Sequence, residues 1–160
     1  MSANAKFSRE LQVLSTLPIR DAWDVAGMPI QFSFERLAGP LLPLSAEPFV
    51  GVNARPEEWS RAFAFGEMSV DGGGSPFYCL SEDSPGIYTF DIESSATLEP
   101  LNTTPEAFVQ SYSIARAAAF GTIDIASAAR ALRDTDPKTY DVENDWNLLI
   151  KQLEAGSEDA

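Results

Sequence analysis

The stretch over residues 63–112 constrains the fold most. It holds two short aromatic strand signals around an acidic turn, a third extended piece, and a helix with a marked start. Residues 77–80 and 86–90 are rich in aromatic and β-branched side chains, which fit a pleated, half-buried surface. Between them Ser81-Glu82-Asp83-Ser84-Pro85 supplies the short polar side chains and the proline that favour a turn. Asn102-Thr103-Thr104-Pro105-Glu106 then opens a helix. Thr103 with Glu106 three residues on reads as a capping box, and Pro105 sits in the first turn. Phe108, Val109, Tyr112, Ala115 and Ala119 form its apolar stripe, and Gly121 closes it.

Around this stretch the chain reads as mixed helix and strand. Phe7, Leu11 and Leu14 recur at helical spacing and predict a short first helix. A second helix is expected from Pro18 to about Ala26, with Trp23 as its core anchor and Gly27 as a left-handed C-cap. Met28-Pro29-Ile30 leads into Phe32 and Phe34, whose alternation around Ser33 predicts a strand. Gly39-Pro40-Leu41-Leu42-Pro43-Leu44 reads as an irregular passage over the core, and Phe49-Val50-Gly51-Val52 as a candidate strand. From Arg61 the chain turns extended, with Phe63 and Phe65 on one face. Two more helices are expected. One spans about 124–133, with Ile125, Ala128, Ala129 and Leu132 inward, and ends at Asp136-Pro137. The other spans about 142–154, with Trp146, Leu149, Ile150 and Leu153 inward, and stops at Gly156.

With 160 residues, 44% of them hydrophobic, the chain is long and apolar enough for one domain with a real core. No apolar run approaches the roughly 20 residues of a membrane span. The opening MSANAKFSRE lacks a hydrophobic signal core, and one cysteine excludes an internal disulfide framework. The expected location is therefore the reducing cytoplasm, with Cys79 a small buried hydrophobe.

Charge narrows the function classes. The formal net charge is −13, and residues 61–110 hold eight acids against the single base Arg61, a net of −7. Such a surface repels nucleic acid and anionic membranes and attracts a basic partner. With no histidine in the chain, no imidazole base, histidine-activated nucleophile or histidine metal ligand is available. One cysteine cannot supply a zinc site. Asp71-Gly72-Gly73-Gly74 lacks the Gly-Lys-Ser/Thr of a phosphate loop, and its leading acid opposes phosphate. Asp134-x-Asp136 starts like a calcium loop, but Lys138 stands where a third oxygen ligand belongs. Asp91 and Glu93 would share a strand face and could serve as an acid–base pair only if one of them were buried. No catalytic residue, cofactor or metal is expected. Asn102-Thr103-Thr104 also fits a glycosylation sequon, and the helix-cap reading is preferred.

Three segments together carry a family resemblance: Trp23-Asp24-Val25-Ala26-Gly27-Met28-Pro29, the strand pair at Phe77-Tyr78-Cys79-Leu80 and Pro85-Gly86-Ile87-Tyr88, and Leu101-Asn102-Thr103-Thr104-Pro105-Glu106-Ala107-Phe108. In this order they resemble the SUKH superfamily of immunity proteins, closest to its fourth subgroup, over roughly residues 16–116. The resemblance implies an α+β fold: a curved, mainly antiparallel sheet with helices packed at one side, here followed by a helical C-terminal extension over 122–156. It implies no catalysis. The function it implies is stoichiometric blockade of a cognate bacterial toxin, which the charge suggests is basic and acts on nucleic acid. Glu67, Asp71, Glu82, Asp83, Asp91 and Glu93 are the candidate toxin-facing carboxylates, with Tyr88 as an aromatic anchor. Two other readings stay open: a regulatory scaffold domain with a cellular partner, and an enzyme working with carboxylates alone.

Overall fold

The computed structural model describes residues 3–44, 61–70, 76–90, 98–140 and 144–158. Two short helices, α1 (Ala3–Lys6) and α2 (Ser8–Leu14), precede the hairpin of β1 (Arg20–Val25) and β2 (Met28–Ser33). A 3-10 turn (Glu35–Ala38) and the two-residue β3 (Leu42–Pro43) follow. Next come β4 (Ala62–Val70), β5 (Phe77–Ser81), β6 (Ser84–Phe90) and β7 (Leu98–Asn102). The chain ends in α3 (Pro105–Ala119), α4 (Ile125–Thr135) and α5 (Asp145–Glu158). The strands form one antiparallel, open sheet in the order β1-β2-β4-β5-β6-β7, with β3 beside the first half of β4. The fold is the expected α+β.

Strand alternation divides the sheet into two faces. Trp23, Val25, Ile30, Phe32, Phe65, Tyr78, Leu80, Ile87 and Leu101 point to the helices and belong to the main core. There α3 lays Phe108 against Phe34, Phe65 and Tyr78, and Tyr112 against Trp23 and Phe32. Trp146, Leu149 and Ile150 of α5 and Ala128 and Leu132 of α4 enter the same cluster. The C-terminal helices thus share one core with the sheet. Ala62, Ala64, Cys79 and Phe90 face the other way and form a second apolar cluster with Leu44. Cys79 is fully buried, and burial pushes its thiol pKa up, as a small hydrophobe's environment should.

The helix expected from Pro18 to Ala26 is instead the strand β1. Ala26 and Gly27 both take positive φ (55° and 84°) and make the two-residue turn that joins β1 to β2. Gly27 adopts the left-handed conformation its position suggested, but it closes a hairpin and not a helix. Trp23 is a core anchor all the same, 3% exposed, with its ring 4.3 Å from that of Phe32. The alternation of buried Trp23 and Val25 with exposed Ala22 and Asp24 is period two, and the partner strand decided the outcome.

Two helix termini also differ from expectation. Pro105 is the first helical residue of α3, so the N-cap is Thr104, whose hydroxyl accepts from the Ala107 N–H at 3.0 Å. Thr103 is drawn away to Asp136, and Glu106 pairs with Arg9 at 3.3 Å, so no capping box forms. Helix α5 runs through Gly156 to Glu158. The missing side chain lets it approach the β1–β2 turn, where a Cβ at Gly156 would lie 2.5 Å from the Ala26 Cβ. Asp124 caps α4, accepting from the Ser127 N–H at 2.8 Å.

A buried polar network ties the C-terminal helices to the sheet. Asp136 accepts from Asn102 Nδ2 (3.0 Å), the Thr103 N–H (2.7 Å) and the Thr103 hydroxyl (3.1 Å). Asn102 in turn accepts from Trp146 Nε1 at 2.9 Å and donates to the Ser111 hydroxyl at 3.2 Å. Asn144 donates to the Leu101 and Thr139 carbonyls. Asp136 therefore serves the fold, and Asn102 is 2% exposed, out of reach of a glycosylating enzyme in the folded chain. The sequence reading missed this network, because residues 102, 111, 136 and 146 are far apart along the chain.

Candidate functional site

Four of the seven candidate contact residues, Glu67, Glu82, Asp83 and Tyr88, are described; Asp71, Asp91 and Glu93 lie outside the described residues, as does the candidate strand at 49–52. Register places Glu67 opposite Ser33 on one side and Phe77 on the other. Tyr88 stands opposite Cys79. Both residues therefore project from the sheet face turned away from the helices. There Tyr88 is half-buried against the second apolar cluster, while Glu67 is exposed in a polar region of the same face.

Glu82 and Asp83 form the tip of the β5–β6 hairpin, at the opposite end of β4 from Glu67. Each already has a base. Lys6 reaches Glu82 at 2.7 Å and Arg61 reaches Asp83 at 2.9 Å. A hollow of about 460 Å³ lies between this tip and α2, edged by Lys6, Phe7 and Glu10. Exposed pairs of this kind contribute about 0–1 kcal/mol and exchange readily with solvent or a partner.

On the face turned away from α3, α4 and α5, β1, β2 and β4 present Arg20, Ala22, Gln31, Ser33, Glu67 and Ser69 around a depression of about 710 Å³. A smaller one of about 290 Å³ adjoins it and shares Ser33 and Glu67, with Arg36 and Pro40 at its far rim. Arg20 is paired with Glu35. Among the described residues the Glu67 carboxylate has neither an ion pair nor a hydrogen bond. This polar half-face was not legible as a unit from sequence, since Gln31 and Ser69 meet only through the β2–β4 pairing.

One carboxylate held well inside a set of donors is Asp21, at the edge of this face but turned to the helices. Its Oδ2 accepts from Trp23 Nε1 (2.8 Å), the Tyr112 hydroxyl (2.5 Å) and Arg116 Nε (2.7 Å). Burial works to raise its pKa, but the donors from Arg116, Tyr112 and Trp23 outweigh it and hold the carboxyl below its ordinary value. A lowered pKa suits a structural anion and opposes service as a general acid. Because the folded-state value is depressed, the stabilisation is present above the unfolded value of about 3.9 and is lost as pH falls through the folded one. Asp21→Asn is accordingly expected to be less stable than the parent at neutral pH, with the gap narrowing as pH falls below the ordinary carboxylate range. Urea denaturation of both proteins across that range checks this; a gap constant with pH would show that the charge of Asp21 contributes nothing.

Among the described residues no three His, Cys, Asp or Glu side chains gather as a metal group, and no helix is long and apolar enough to cross a membrane. Comparison of the chain with protein-family models, with curated proteins and with solved structures finds no match.

Proposed function

We propose that this chain is a non-catalytic inhibitor of the SUKH immunity type, which binds one basic toxin domain stoichiometrically and blocks its active site. The observation that carries the reading is the charge: −13 overall, with −7 concentrated between residues 61 and 110, on a fold whose sheet leaves Glu67 without an ion pair among the described residues. A toxin that acts on nucleic acid holds phosphates with bases, and carboxylates on a rigid sheet compete for those same bases. The antiparallel sheet with helices on one side is the architecture the resemblance implies, although residues 20–25 form a strand where that resemblance calls for a helix.

Calorimetric titration with the toxin domain encoded by the adjacent gene, at low and high salt, tests the proposal. Tight one-to-one binding that weakens with salt is the expected result. Binding at neither salt would overturn it and put a regulatory scaffold in its place.

A further inference from the structure

Resting on that reading, we infer that the docking surface is the face of β1, β2 and β4 turned away from α3, α4 and α5 and centred on Glu67, and that it takes a protein segment presenting an arginine or lysine. Three places on the sheet could receive such a segment, and the geometry favours one.

The sheet edges are blunted against strand addition. At β1 the Ala22 N–H is taken by the Asp21 carboxylate at 3.0 Å, and β7 carries Pro100, which has no N–H to offer. The hairpin tip is acidic, but Lys6 and Arg61 already occupy its two carboxylates, so a partner's base would have to displace them. The Glu67 face needs no such exchange. Its carboxylate is exposed and unpaired among the described residues, and it stands where two depressions meet. Gln31, Ser33 and Ser69 surround it with side chains that can accept or donate to an incoming backbone. The net charge of the chain supplies the long-range attraction, while Glu67 supplies a local end point for it. Two bases edge the depressions among the described residues and oppose a basic occupant: Arg20, which is paired with Glu35, and Arg36, at the rim of the smaller depression.

The test uses a hexa-arginine peptide titrated into the full chain at about 0.15 M ionic strength, read by amide NMR shifts. Saturable shifts centred on residues 31, 33, 67 and 69 are expected. Glu67→Lys should weaken the peptide about tenfold, and Arg36→Glu should tighten it. The paired variant Glu82→Lys with Asp83→Lys should leave those shifts in place. Shifts centred on residues 81–84, or on any other segment, would overturn the inference, as would a titration that Glu67→Lys does not change. Because the probe is a peptide, this result stands apart from the toxin titration. Tight toxin binding with peptide shifts elsewhere would keep the proposed function and remove only the surface.

Discussion

Replacing Asp136 by alanine is expected to lower the unfolding free energy by about 3 kcal/mol or more, since buried donors left without an acceptor cost about 1–3 kcal/mol each. The side chain is 4% exposed and accepts from three donors, two of which, Asn102 Nδ2 and the Thr103 N–H, are fixed in direction by β7 and its turn. Asn102 also receives Trp146 Nε1, so the loss propagates to α5. Urea denaturation of the two proteins measures the difference. A loss below about 1 kcal/mol would mean that water takes the place of the carboxylate and that the network does not clamp the helices.

Phe108→Ala should cost about 3–5 kcal/mol, the range for deleting a fully buried aromatic side chain. Phe108 is the point where helix and sheet meet. Its ring centre lies 5.2 Å from that of Tyr78, 5.5 Å from Phe65, 6.3 Å from Phe34 and 5.7 Å from Trp146. The same denaturation experiment reads it, with Phe108→Leu as the smaller truncation expected to cost less. An alanine loss under about 1.5 kcal/mol would show that α3 settles onto the sheet and fills the cavity. Trp146 packs on Phe108 and donates to Asn102, which in turn donates to Asp136, so the two variants sit at the ends of one connected chain of contacts. Their combined effect is therefore expected to depart from the sum.

The two predictions rest on residues whose legibility in the sequence differed. Phe108 sits in a periodic apolar stripe behind a proline, and its inward direction follows from helical spacing alone. Asp136 was visible as the acid before a helix-breaking proline and as part of a failed calcium-loop pattern, because its role depends on partners more than thirty residues away. The same contrast divides the candidate surface. That the 82–83 turn is acidic and exposed was plain from its composition. That Lys6 crosses from the N-terminal helix to neutralise Glu82, and that no base among the described residues reaches Glu67, depends on how distant segments pack. The short stretch at 20–25 shows the limit of periodicity. Six residues with two large apolar side chains fit either period, and β2 supplies the backbone partners that make a strand.

By itself the sequence determined the mixture of helix and strand, the β5–β6 hairpin, the positions of α3, α4 and α5, and the acidic balance. Each of these follows from local spacing, turn chemistry or a sum over residues. Tertiary structure alone decided the strand at Trp23, the network around Asp136, the joining of the C-terminal helices to one core, and the polar face around Glu67. Those features are set by pairing between segments remote in the chain, where burial and hydrogen-bond satisfaction outweigh the few tenths of a kcal/mol to about 1 kcal/mol that local propensity contributes.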